Sequence, residues 1–569
     1  MKQLKKIYYI SLLTLSFAFS INYGFSQAIP NHFFGENAWM PDTIGDANGN
    51  IDPPFIFNGK LHKNWKNIKN SGASIIRFGG IAADRNMPTK YQYIKMIDSI
   101  RANGMEPMIQ VPFFNNRYTK EQAADIVTYI NITKGKNIKY WIIGNEPDLS
   151  YSYSTSAQIA AYFKPFASAM KNVDPSILII GPEIASFNKT IIDGLTTPGG
   201  PSDITGKDAS ERYYLDIISF HAYPFSGAQT RATVISKLTD PGQLQDDIIY
   251  LNSRVATCNS FHLRTGTSKI KTAITEANVN WQNNPSDNLN GLGANSFIGG
   301  QFVAEMMCIG MKNSLDIFNL WSVVEGNSVV SNIGYINGST GVKKPLYYHF
   351  KLLADNFKGD YVDGITNKVN VKSYGSKNSQ QITVLILNQD LTNSFNYKVQ
   401  LNSSPITDTM ALKINIDAGV AMSYTDVVAS QSSVLLTFNS AGAIIRKTEY
   451  SLTGNAMANL PPTVTEFLTT GVTPTVIIDK VPFDIKNVFP NPSEGKFTIE
   501  LNKENMGEKE FDVKIYNIMG QEIYNKKSTF IGGREEIQLD PSVASGEYIM
   551  RVKEGLVDNY LVRKIVLQK

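Results

Sequence analysis

From Asn31 to Phe357, short apolar runs alternate with segments whose apolar positions recur every three or four residues. The runs are His32–Asn37, Ser74–Phe78, Glu106–Val111, Lys139–Gly144, Ile177–Gly181, Asp216–His221, Ile270–Thr275 and Leu315–Trp321. Their hydrophobicity is continuous rather than alternating, the pattern of strands buried on both faces. Between them, Pro88–Asn103 sets Tyr93, Ile94, Met96, Ile97 and Ile100 on one helical face and stops at Gly104. Thr119–Asn131 opens with Thr119 and Gln122, a capping-box spacing. Ser296–Lys312 and Pro345–Phe357 read as two further apolar-faced helices. Eight strands, each followed by a helix, over about 330 residues predict an α/β fold with a closed (β/α)8 TIM barrel at residues 27–358.

Beyond Phe357 the period changes to two. VNVKSY, QITVLILN, FNYKVQL, ALKINI and SSVLLTF are separated by Asn, Ser, Gly and Asp, which predicts a β-sandwich at residues 359–449. A Thr- and Pro-rich stretch at 450–480 reads as a linker. Residues 481–569 form a small C-terminal all-β domain, long enough to fold alone. At the other end, Lys2, Lys5 and Lys6 precede the apolar stretch Ile7–Phe19, and small residues follow at Gly24 and Ser26. Residues 1–26 therefore read as a secretory leader cut before Gln27, too short in its apolar part to span a bilayer. No later run reaches about 18 apolar residues, so no transmembrane segment is expected in the mature chain.

The formal charge is +4, and removing the three leader lysines leaves +1. That excludes an electrostatic case for nucleic acid. Cys258 and Cys308 make no disulfide framework, and Cys308 lies on an apolar helix face, so it is expected as a core thiol. The histidines, His32, His62, His221, His262 and His349, lack metal-ligand spacing, and no metal or cofactor is called for. Asp46, Asn48, Asn50 and Asp52 alternate oxygens as a calcium loop does. Ile51 and Phe57 stand where that loop needs Gly and Glu, so a Gly- and Asx-rich turn is expected.

In such a barrel the functional side chains sit at the C-terminal strand ends. YWIIGNEPDLS places Glu146 at the end of the fourth strand, where Pro147 biases it toward extended geometry. KIKTAITEANVNW places Glu276 at the end of the seventh. Two carboxylates about 5–5.5 Å apart are what retaining glycoside hydrolysis requires, one giving a proton and the other attacking the anomeric carbon.

Asn145-Glu146-Pro147 after strand four and Glu276 after strand seven resemble the clan A retaining glycosidases, over roughly residues 30–450. The resemblance implies that Glu146 is the catalytic acid/base and Glu276 the catalytic nucleophile. It implies that Asn145 binds the sugar 2-hydroxyl and that Arg77, in IIRFGG, keeps the nucleophile ionised. His221 and Tyr223, in FHAYPF, match a His-x-Tyr pattern whose tyrosine holds the nucleophile, and Trp321 resembles the aromatic that floors the subsite; by the resemblance Arg77, His221 and Tyr223 also count among the substrate-binding residues. Trp281, Trp39 and Phe113–Phe114 offer further rings for a carbohydrate substrate to stack on. Arg77-x-Gly-Gly-x-x-x-Asp84 and IIGPEIAS are similar to the heparanase and β-glucuronidase branch. After Glu276 the chain reads ANVNW, where that branch continues in Ser and Gly, and families acting on xylans, glucans or arabinofuranosides share parts of these motifs. The C-terminal VFPNPSEGKFTIE, IYNIMGQEIY, SGEYIMRV and VRKIVLQK resemble a type IX secretion sorting domain. That implies recognition by the type IX machinery and export through the outer membrane, to release or surface attachment. The reading is a secreted retaining glycoside hydrolase cleaving a β-glycosidic bond. The alternatives are a non-catalytic glycan-binding surface protein on the same scaffold, and an adhesin using the barrel as a spacer.

Overall fold

The computed structural model describes residues 27–38, 61, 64–325, 332–337, 340–467, 485–501, 509–517, 521–554 and 561–569. The leader, Trp39, His62 and the Asp46–Asp52 loop lie outside them. No helix among the described residues is long and apolar enough to cross a membrane. The chain divides into two compact units, Met1–Thr465 and Glu466–Lys569.

Eight parallel strands close a barrel: β1 (Phe34–Asn37), β2 (Ile75–Phe78), β3 (Glu106–Val111), β4 (Tyr140–Ile143), β5 (Leu178–Ile184), β6 (Ile217–Ala222), β7 (Lys271–Ala277) and β8 (Ile317–Leu320). They follow the apolar runs. Inside the barrel Ile75, Met108, Ile142, Ile180, Ile217, Ala273 and Ile317 form an apolar layer, one residue from each of β2 to β8. This layer is the floor on which the polar site stands. The helices Lys90–Ala102, Lys120–Val127, Phe297–Lys312 and Pro345–Asn356 occupy the expected segments, and the Thr119–Gln122 capping box is formed.

Nine strands follow: β9 (Asp360–Thr366), β10 (Val371–Lys377), β11 (Gln381–Asn388), β12 (Phe395–Gln400), β13 (Leu412–Ile416), β14 (Ser423–Val428), β15 (Ser432–Asn439), β16 (Ile444–Ser451) and β17 (Thr463–Glu466). They lie in the order β14-β12-β13-β9-β10-β11-β15-β16-β17, and the short strand Gln27–Ala28 pairs with β9. The sandwich is one continuous mixed sheet bent onto itself. The first half of β9 pairs with β10, and the second half, from Gly364, pairs with β13. A Cβ at Gly364 would lie 2.3 Å from the Ser373 carbonyl oxygen, so only glycine fits the bend. Within the stretch expected as a linker, the end of β16 and β17 carry the sheet on to Glu466, and residues 468–480 lie outside the described residues.

The run QITVLILN is apolar over Val384–Leu387 because both its faces are buried there. Val384 and Ile386 face the sheet's own core. Leu385 and Leu387 belong to the same apolar cluster as the barrel helices. Polar pins cross this contact. Gln301 Nε2 donates to the carbonyls of Asn388 (3.2 Å) and Ser432 (3.0 Å), and His349 Nε2 meets Ser433 Oγ at 2.7 Å. Cys258 and Cys308 are both buried and unpaired.

The second unit has its own apolar core, with Phe497, Ile499, Phe511, Val513, Met550 and Ile565 among its residues. Two antiparallel sheets make it up. One joins β18 (Ile485–Phe489), β19 (Lys496–Leu501) and β22 (Arg534–Gln538). The other joins β20 (Lys509–Asn517), β21 (Glu522–Phe530), β23 (Gly546–Glu554) and β24 (Leu561–Leu567).

Candidate active site

The C-terminal ends of β2, β4, β5, β6 and β7 bring Arg77, Glu146, Glu183, His221 and Glu276 together above the apolar layer. One carboxylate oxygen of Glu146, one of Glu276 and a ring nitrogen of His221 lie within 4.8 Å of one another. The glutamates predicted from strands four and seven therefore converge.

Glu276 is held from two sides. Arg77 Nη1 donates to its Oε1 at 2.7 Å, and the Tyr223 hydroxyl donates to its Oε2 at 2.8 Å. Burial raises its pKa from the ordinary value, and the facing Glu146 adds to that; His221, Arg77 and the Tyr223 hydrogen bond pull the other way. Direct contact with a fully buried guanidinium favours its ionised form.

Glu146 is the more open of the pair, its side chain 15 % exposed against 7 % for Glu276. His221 Nδ1 meets its Oε1 at 2.9 Å. Its backbone is not extended. With φ +45° and ψ +58° it is in the left-handed region, a strained position for a side-chain-bearing residue. Its N–H donates to the Glu183 carbonyl at 2.8 Å, and its own carbonyl accepts from the Leu149 and Ser150 N–H groups. These bonds outweigh the preference that Pro147 imposes.

Arg77 and His221, expected to contact substrate, have no exposed surface. Both lie beneath the carboxylates. Arg77 also donates to Asn37 Oδ1 (2.9 Å), Asn145 Oδ1 (2.8 Å) and Glu183 Oε2 (2.8 Å). Asn145 Oδ1 is thus engaged by Arg77. His221 sits among carboxylates, whose charge raises its pKa to about 10 against the opposing effect of burial.

Trp321 is buried against Gly80, where a Cβ would lie 2.7 Å from the indole and φ is +93°, so glycine is required twice over. Its ring N–H donates to Glu325, and Asn278 Nδ2 donates to the Ile333 carbonyl beside it. Trp281 is 57 % exposed on the loop after β7, free to stack on a sugar. Phe113 is not. It is buried and stacked on Tyr162, with ring centroids 4.0 Å apart, and packs a loop instead.

Two residues stand in motifs quoted from the sequence but received no role there. Glu183 stands in IIGPEIAS, a strand-end acid of the same kind as the other two, and that position was the available signal. Asp84, the acid of the Arg77-x-Gly-Gly-x-x-x-Asp84 motif, is buried behind the Glu146 turn. It accepts from the Phe113 N–H (3.1 Å), Gln110 Nε2 (3.3 Å) and the Tyr151 hydroxyl, and burial pushes its pKa to about 7. The Tyr151 hydroxyl in turn accepts from the Asn145 N–H at 3.4 Å.

The spacing of Glu146, His221 and Glu276 is one a metal ion would bridge. Their donor atoms are instead committed to one another, to Tyr223 and to Arg77, whose charge 2.7 Å from Glu276 opposes a second cation.

Comparison with known proteins agrees with this architecture. Over 426 residues the chain is 23% identical to Endoglucanase A of Paenibacillus lautus, a match covering 65% of this chain and 56% of that protein. The chain thus spans little more than half the length of this curated relative. The α-L-arabinofuranosidase of Thermotoga maritima, solved with arabinose, is similar with a TM-score of 0.51 and 14% identity, covering 73% of this chain and 97% of that one. A family 51 α-L-arabinofuranosidase from Bifidobacterium longum gives a TM-score of 0.50 and 15% identity, covering 72% and 97%. None of these three is a heparanase or a β-glucuronidase. Residues 487–568 match the model of the secretion system C-terminal sorting domain. The chain therefore carries the TIM-barrel fold of glycosidases, and its C-terminal unit is a sorting domain that marks it for type IX export, to release or attachment at the cell surface.

Proposed function

We propose that the protein is a retaining glycoside hydrolase acting outside the cell on a polysaccharide or oligosaccharide, with Glu146 as acid/base and Glu276 as nucleophile. The observation that carries this reading is the convergence of the two carboxylates, with oxygens within 4.8 Å of each other. Direct attack by water on the far face of the sugar needs carboxyl groups about 6.5–9.5 Å apart, while attack by the enzyme needs about 5–5.5 Å.

In the first step Glu146 gives its proton to the glycosidic oxygen as that bond to the anomeric carbon breaks. A Glu276 oxygen forms the new bond, giving a glycosyl ester. In the second step Glu146 takes a proton from water, the water oxygen bonds to the anomeric carbon, and the ester breaks. The different surroundings support this division of roles. Glu276 is gripped by Arg77 and Tyr223, and both contacts favour its ionised form. Glu146 is more open to exchange of a proton. Asn145 faces the sugar 2-hydroxyl, Trp321 floors the subsite, and Trp281 stacks on a further unit.

A neutral sugar suits the site better than a uronate. The cation at its base, Arg77, has no exposed surface and is spent on Glu183 and Glu276. The likeness to Endoglucanase A makes a β-glucan a first candidate substrate. Reducing-sugar release across a panel of polysaccharides tests the reading, with Glu276→Ala as control. The variant should lose turnover and keep binding. Unchanged hydrolysis would remove Glu276 from the mechanism, and binding without turnover in the unaltered protein would make it a glycan-binding protein instead.

A further inference from the structure

We propose that Glu183 is a positioning residue of this reaction: its carboxylate completes a buried, charge-balanced quartet with Arg77, His221 and Glu276, and its carbonyl fixes the backbone of Glu146. The proposal deepens the hydrolase reading and rests on it. Glu183 has no exposed surface and so cannot touch substrate. Four groups hold its two oxygens. Arg77 Nη2 (2.8 Å) and His221 Nε2 (3.4 Å) meet Oε2, and the hydroxyls of Ser219 (2.5 Å) and Thr275 (2.8 Å) donate to Oε1.

The charges explain why a third glutamate belongs there. Arg77 and His221 are two cations, and Glu183 and Glu276 are two anions. An ion in a dry interior costs several kcal/mol unless it is countered. With these four in balance, Glu146 stands outside the quartet, in contact with it through His221. The groups facing His221 are Glu146 beyond β4, Glu183 on β5 and Glu276 on β7, with Asp148 past the Glu146 turn and Tyr223 beyond the end of its own strand. Arg77, from β2, reaches the same two carboxylates, Glu183 and Glu276. Without Glu183 two cations would face one anion, and the cluster would give up a proton more readily.

The main chain adds a second hold. Glu183 and Glu146 both have left-handed backbones, with φ +60° and +45°, and the Glu146 N–H donates to the Glu183 carbonyl at 2.8 Å. The electrostatics agree with the geometry: Arg77 and His221 bring Glu183 down to about 2 despite its burial, and the carboxylates bring His221 up to about 10.

The test is 15N NMR of histidine-labelled full-length protein, with the His221 signal assigned by its loss in His221→Asn. In the unaltered chain His221 should be an imidazolium at pH 8. In Glu183→Gln its titration should move down by about one pH unit or more, the effect of losing an opposite charge in contact. The basic limb of kcat/KM should move down with it. Turnover should fall by about 10²-fold, the cost of misplacing a catalytic group by about 1 Å, with KM nearly unchanged. Glu183→Asp, which keeps the charge, should restore the His221 titration. A neutral His221 at pH 7 in the unaltered protein overturns the proposal, and that spectrum decides even if Glu183→Gln does not fold. So does a folded Glu183→Gln with unmoved titration and basic limb. An unaltered protein that cleaves no glycoside would sink the hydrolase reading instead, while leaving the His221 spectrum to judge the quartet.

Discussion

The Tyr223 hydroxyl donates to Glu276 Oε2 at 2.8 Å, while Arg77 takes the other oxygen of the same carboxylate. Two donors on two oxygens fix the orientation of Glu276 and favour its charged form. Replacing Tyr223 by Phe removes a hydrogen bond to a charged group, worth about 1.5–3 kcal/mol. We expect kcat/KM to fall about 10- to 100-fold. Because the lost bond favours the ionised carboxylate, the Glu276 pKa should rise further, and the acid limb of kcat/KM should move to higher pH. A pH–rate profile of the variant checks both.

Arg77 contacts Glu183 and Glu276 with no exposure to solvent. Arg77→Met leaves two buried carboxylates without their shared cation. Breaking a buried pair this way costs about 3–5 kcal/mol. Urea unfolding of the barrel unit should show a loss of that order, together with loss of turnover. A midpoint unchanged from the parent would mean that Arg77 does not carry the site.

His221 gives a pH dependence of stability. Its pKa is raised from the ordinary value of 6.5 to about 10 on folding. A raised value stabilises the fold fully below about 6.5, and the contribution is lost as pH rises through about 10. The stability difference between the parent and His221→Asn should therefore be largest in mild acid and close toward pH 10. Paired melting curves from pH 6 to 10 read it directly.

The C-terminal unit has its own core and carries the sorting-domain match. A chain ending at Glu466 should keep its hydrolytic activity and fail to leave the cell. Assays of culture medium and cell lysate for the two forms separate sorting from catalysis.

The eight barrel strands were legible because burial on both faces leaves continuous apolar runs, and Glu146 and Glu276 were legible because each interrupts such a run at its end. Glu183 met the same description in IIGPEIAS. Its partners, Arg77, Ser219, His221 and Thr275, come from three other strands, and no local pattern announces a cluster assembled only by barrel closure. The Glu146 backbone was misjudged because the Pro147 bias is local and the Glu183 carbonyl that overrides it is not. The continuation of the sheet to Glu466 was hidden for another reason. Thr463–Glu466 is exposed throughout, so it shows no alternation of apolar and polar positions. The bend of β9 at Gly364 likewise depends on backbone approach, which apolar periodicity does not record.

The central claim is that Glu276 attacks the sugar itself and Glu146 serves both steps as acid and then base. The most direct measurement is the anomeric configuration of the first product, followed by proton NMR during hydrolysis before mutarotation. The account predicts that the product keeps the configuration of the bond that was cut; a product released with the opposite configuration would contradict it.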